Sequence, residues 1–147
     1  MSNTYMESSE LASTLRTSIA TLHKGFRKHM SAVSIYSMTE LETISALYRT
    51  PNMMPTELAV LTRITTQSMS QILTKFEVLN LIKRSPSTKD KRKVYISLTT
   101  VGKKLVDKTK HEGNVWLTEA IENKLSKKEK ELLVNVLPVL NNLIELM

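Results

Sequence analysis

The sequence predicts a mainly α-helical protein with one small β-hairpin. Apolar residues recur every three or four positions through most of its 147 residues, whereas only 81–84 and 94–98 carry the run or alternation of strands. Gly and Pro are scarce (three and four), and 41% of residues are hydrophobic, which favours a packed core over disorder. Positive charge is concentrated around the hairpin. Ten Lys or Arg stand against two Asp between Lys83 and Lys110, while the whole chain carries only +7.

The elements follow in order. Over 10–33, Leu11, Leu15, Ile19, Leu22, Phe26, Met30 and Val33 form one helical stripe, with Gly25 tolerated inside it. Thr39 with Glu42 has capping-box spacing and opens a second helix to about Tyr48. Pro55 suits the first turn of a third helix over 56–61. Thr65 is placed to cap a fourth over 66–79, with Met69, Ile72, Leu73 and Phe76 as its inner face. Asn80 is a natural left-handed cap, and strands follow at 81–84 and 94–98. Thr99 or Thr100 caps a long helix to about Asn123. Ser126 with Glu129 opens a last helix to Met147, which Pro138 is expected to kink or break.

Several function classes are excluded. No run of about 18 apolar residues exists, so no transmembrane helix is expected. The N-terminus lacks a signal-peptide pattern, and a cytoplasmic protein is the simplest reading. Without cysteine there is no disulfide framework or thiolate ligand. The histidines, His23, His29 and His111, lack the spacing of a helical metal pair, so no metal or cofactor is expected. No nucleophile–base–orienter set or glycine-rich phosphate loop is present, which argues against an enzyme.

The segment 57–76 has helix-turn-helix layout: a short helix, a tight turn, then a helix with a small, polar outer face. That face, Thr66, Gln67, Ser68, Ser70, Gln71, Thr74 and Lys75, with Thr65 at its start, can exchange hydrogen bonds with base edges in a major groove about 12 Å wide. A solvated surface would favour stronger helix formers than Ser and Thr. The loop 85–93 then supplies Lys89, Asp90, Lys91, Arg92 and Lys93. Arg92 suits a minor groove, and Asp90 can hold it extended. Lys83, Arg84, Lys89, Lys91 and Lys93 suit phosphate contacts.

At this point the sequence resembles the MarR family of bacterial transcription regulators. The resemblance rests on Glu57-Leu58-Ala59, the polar turn and helix, Leu79-Asn80-Leu81-Ile82-Lys83-Arg84, Asp90-Lys91-Arg92-Lys93-Val94 and Leu98-Thr99-Thr100-Val101-Gly102. Arg63 and Asn80 stand where the family usually carries glycine. The resemblance implies a winged helix-turn-helix lobe (39–102) on a helical dimerisation stem (8–36 and 100–147), within a single domain over 1–147. The recognition helix (66–79) then reads the major groove and the wing (85–93) contacts the minor groove.

The terminal segment, with Leu132, Leu133, Val136, Leu137, Leu140, Leu143 and Ile144, is apolar over a broad face. A homodimer bound to double-stranded DNA at a palindromic operator follows, most simply a repressor. Packing of the first helix against the last two within one chain accounts for the same pattern. By family resemblance, a small aromatic or lipophilic effector binds between stem and lobe, with Phe26, Met30, Tyr36, Met38 and Trp116 as candidates by position; ordinary core is the favoured reading of each, because helical stripes of Met and aromatics are usually packing. The alternative function is a winged-helix interaction module binding an acidic protein partner.

Overall fold

The computed structural model describes residues 6–146. It contains α1 (Ser8–Lys28), a single 3₁₀ turn (Ser31–Ser34), α2 (Met38–Arg49), α3 (Pro55–Thr62), α4 (Thr66–Val78), strands β1 (Ile82–Pro86) and β2 (Val94–Leu98), α5 (Thr100–Lys124) and α6 (Lys127–Ile144). The expected helix end at Met147 and residues 1–5 of the N-terminal segment lie outside the described residues. Among these, no helix is long and apolar enough to cross a membrane.

The core sits between α2, α3, α4 and the hairpin. Ile44, Leu47, Leu58, Met69, Leu73, Phe76 and Ile96 are almost wholly buried there, and Val106 of α5 joins them. Thr65 caps α4 as expected, its hydroxyl accepting the Ser68 N–H at 3.1 Å. Pro55 occupies the first turn of α3, and the Ser126–Glu129 box opens α6. The antiparallel hairpin runs in register from Ile82 opposite Leu98 to Pro86 opposite Val94. A β-bridge between Met53 and Ile96, with N–H···O distances of 3.2 and 2.8 Å, pins it to the α2–α3 connection. That third backbone had no signature in the sequence.

Two helices end in the same way. After α3, Arg63 adopts φ 56°, ψ 40°; its N–H bonds Val60 O at 3.2 Å and the Ile64 N–H bonds Ala59 O at 3.1 Å. After α4, Asn80 adopts φ 57°, its N–H bonds Glu77 O at 3.0 Å, and the Leu81 N–H bonds Phe76 O at 2.8 Å. Both are Schellman caps with a left-handed residue following the helix.

Several expectations require correction. The first helix does not reach Val33. It stops at Lys28, where the His29 ring nitrogen Nδ1 lies 2.9 Å from Gly25 O. The Ser31 N–H and hydroxyl are then taken by the Glu112 carboxylate of α5, each at 2.8 Å. The box opening α2 is Ser37 with Glu40 rather than Thr39 with Glu42. Thr39 lies in the first turn, where its carbonyl accepts the Thr43 hydroxyl at 2.7 Å. The first strand starts one residue late, because Leu81 completes the α4 cap, and extends to Pro86. The loop of the wing is thereby shortened to 87–93, closed by Ser87 N–H to Lys93 O at 2.9 Å. Of the two residues expected to cap α5, it is Thr99 that does so. Pro138 does not break the last helix, which continues from Lys127 to Ile144.

Candidate nucleic-acid interface

The outer face of α4 keeps the predicted set exposed: Thr66, Gln67, Ser68, Ser70, Gln71, Thr74 and Lys75. They are not equally free. The Thr65 hydroxyl donates to Ser68 Oγ at 2.9 Å, and the Thr74 hydroxyl donates to Ser70 O at 2.9 Å. Lys75 Nζ lies 2.7 Å from Glu40 Oε1 and 5.6 Å from the centre of the Tyr36 ring. Gln67 and Gln71 are the long polar side chains of this face that make no side-chain hydrogen bond among the described residues.

Glu40, absent from the residues singled out in the sequence, fixes α2 to α4. Burial pushes its carboxyl up, but the hydrogen bond and charge of Lys75 and the bonds from Ser37 pull it, on balance, below the usual carboxylate range. The Ser37-x-x-Glu40 spacing was the available signal; the partner 35 residues away was not.

The wing is organised by two short side chains. Ser87 Oγ accepts the N–H groups of Lys89 and Asp90 at 3.2 and 3.3 Å. Asp90 Oδ1 accepts both the Arg92 N–H at 3.1 Å and Arg92 Nε–H at 3.2 Å. The Arg92 side chain is 91% exposed and that of Asp90 34%. Such an open pair contributes about 0–1 kcal/mol to stability; its effect is to present the guanidinium extended from the loop. Lys83, Lys89, Lys91 and Lys93 are exposed around it, while Arg84 Nε is 2.8 Å from Glu77 Oε2. Among the described residues no group of three or more His, Asp or Glu is arranged to hold a metal ion.

The candidate effector residues separate. A cavity of about 550 Å³ lies between α1 and α5 on one side and α2 on the other. Met30 and Met38 line it with Val33, Leu41, Arg27 and Lys110. Arg27 Nε is buried without a hydrogen-bond partner among the described residues. Phe26 borders a smaller opening of about 280 Å³ beside Met30 and Gly113. Tyr36 and Trp116 line neither. Tyr36 packs edge-on to Phe76 at 6.2 Å, and Trp116 packs edge-on to Phe26 at 5.0 Å and stacks on His29 at 5.1 Å.

This geometry has counterparts. The HTH-type transcriptional regulator MT0903.1 of Mycobacterium tuberculosis is 26% identical over 123 residues, 84% of this chain and 85% of that protein. The fold is shared with RV1404 from Mycobacterium tuberculosis (TM-score 0.81, 16% identity, 97% of each chain). It is also shared with a variant of MepR from S. aureus bound to an oligodeoxyribonucleotide (TM-score 0.68, 21% identity, 90% of this chain and 97% of that one). The MarR family model matches residues 36–94, the stretch that holds α2, the helix-turn-helix and the wing loop. Over that stretch the chain is similar to the MarR family, and over most of its length to a protein named as an HTH-type transcriptional regulator.

Proposed function

We propose that the protein is a homodimeric repressor that binds a palindromic site in double-stranded DNA, with α4 in the major groove and Arg92 in the minor groove. The observation that carries this reading is the sequential pairing of an exposed Ser/Thr/Gln helix face with a cationic loop whose arginine is held outward by Asp90. Gln67 and Gln71 then read bases, and Lys83, Lys89, Lys91 and Lys93 contact phosphates. The lobe over 39–102 binds DNA, and the stem over 8–36 and 100–147 dimerises. MepR, bound to DNA, supports the reading by its shared fold.

Support for the dimer comes from α1 and α6, which contain no buried side chain within one chain although Leu11, Ile19, Leu133 and Leu137 are apolar and about half exposed. The cavity beside Met30 and Met38 accommodates a small lipophilic effector, and Arg27 favours one bearing an acidic group.

The test is fluorescence anisotropy with duplexes selected from genomic fragments and a mixed-sequence control, over a range of salt. The expected result is preference for a palindromic site and a log–log salt slope of about −0.9 per phosphate contacted. A flat salt response, with retention of an acidic protein partner instead, would establish the interaction module. In the same assay, lipophilic acids that raise the melting temperature should release the duplex; stabilisation without release would remove the effector role.

A further inference from the structure

The two Schellman caps of the lobe share a geometry but not a residue choice. Asn80 is a side chain that tolerates positive φ; Arg63, at φ 56°, is one that does not favour it. A glycine or asparagine at 63 would make the same turn with less strain. The protein gains nothing visible in return. Arg63 is exposed, and its side chain makes no hydrogen bond or ion pair among the described residues. In this it differs from Lys75 and Arg84, which carboxylates of the lobe engage.

The position of Arg63 is informative. It lies in the turn between α3 and α4, two residues ahead of Thr65, the cap of the recognition helix. In a docked helix-turn-helix the first helix crosses the phosphate backbone while the start of the second enters the groove. The turn between them therefore lies beside the sugar–phosphate rail.

We propose that Arg63 is a phosphate-binding residue, a contact separate from the wing that anchors the entry of α4 into the groove at a cost in backbone strain. The proposal rests on the DNA-binding reading above. A phosphate contact adds affinity on every sequence and leaves base preference unchanged.

The test compares Arg63→Gly and Arg63→Lys with the unmodified protein, by anisotropy against a selected palindromic duplex and a mixed-sequence duplex over a salt series. Arg63→Gly should bind both duplexes about tenfold more weakly and lose about 1 from the salt slope. Its melting temperature should rise, because the strain is removed. Arg63→Lys, which keeps the charge at the same backbone angle, should retain the slope. An unchanged slope and affinity in Arg63→Gly, or a lowered melting temperature, would overturn the proposal. If the unmodified protein itself shows no salt-dependent duplex binding, the DNA-binding reading fails first, so the two failures are distinguishable.

Discussion

Replacing Glu40 tests how α4 is held. One carboxylate oxygen accepts the Ser37 N–H at 2.8 Å, closing the box that starts α2; the other meets Lys75 of α4 at 2.7 Å. The Glu40 side chain is 11% exposed and that of Lys75 46%. If both were fully buried, removing one partner would cost about 3–5 kcal/mol. Here Lys75 can rehydrate, so the pair is nearer the upper end of the surface range, about 1 kcal/mol. Loss of the cap interaction adds about 1 kcal/mol. Glu40→Ala should therefore cost about 2 kcal/mol, a fall in melting temperature of roughly 4–8 °C for a chain of this size. Glu40→Gln keeps an acceptor for Ser37 and should cost about half as much.

The pH dependence has a definite sign. The folded carboxyl is held below its ordinary value of 4.5, so its contribution is complete above that value and is lost as pH falls through the lower folded one. Glu112 and Glu129, lowered chiefly by backbone hydrogen bonds from Ser31 and Ser126, add background of the same sign. A double-mutant cycle of Glu40→Gln with Lys75→Met, by circular dichroism melts at about pH 7 and pH 3, removes that background. A coupling of about 1 kcal/mol should appear at the higher pH and shrink at the lower. Coupling independent of pH, or Glu40→Ala melting with the unmodified protein, would refute the ion-pair argument.

Other perturbations have distinct readouts. Arg92→Ala should leave the melting curve within about 0.5 kcal/mol and weaken duplex binding by about 1–3 kcal/mol; unchanged gel-shift affinity in a folded variant would remove Arg92 from the interface. Gly102→Ala places its Cβ against the Leu81 carbonyl oxygen, which the Thr99 N–H holds at 3.0 Å. Backbone on both sides leaves little room to relax, so a cost of about 3 kcal/mol is expected, read as a melting temperature lower by roughly 6–12 °C. Leu133→Asp with Leu137→Asp puts two charges on one face of α6. Light scattering should then give about 16.7 kDa, against twice that for the unmodified protein; a variant still at the doubled mass would place the interface elsewhere.

What the sequence revealed was local. Thr65, Pro55, Asn80 and the Met69–Leu73–Phe76 spacing each act within one or two turns, and each holds its expected place. The misreadings arose where two local patterns competed or a distant group decided. Ser37–Glu40 and Thr39–Glu42 have identical spacing, and Lys75 bonds the glutamate of the first. The stripe of α1 runs on in sequence to Val33, but Glu112, 81 residues from Ser31, draws the chain out of the helix. Arg63 was recognisable as an unlikely turn residue, and the backbone takes the left-handed turn despite it. Among the effector candidates, helical spacing could not separate Met30 and Met38, which share a cavity, from Tyr36 and Trp116, whose rings pack on neighbouring aromatics.

Burial is distributed unevenly, and that bears on how a ligand in the cavity would influence the proposed DNA binding. The large side chains buried almost completely belong to α2, α3, α4 and β2, so the lobe has a core of its own. In α1 and α6 there is no such side chain. Helical stability in proteins comes mostly from packing of an apolar face. On the proposed two-fold arrangement, the faces of α1 and α6 find that packing in the partner, and the stem becomes more stable as protein concentration rises. The cavity lies across the boundary between these two parts: Arg27 and Met30 come from the stem side, Met38, Leu41 and Ile44 from α2. Through Glu40 and Lys75, α2 is tied to α4. On the same proposal, a molecule filling the cavity would press between the α1 side and α2, and a dimeric stem would set the spacing of the two copies of α4. Such a molecule would therefore need no contact with α4 to alter the fit to the proposed operator.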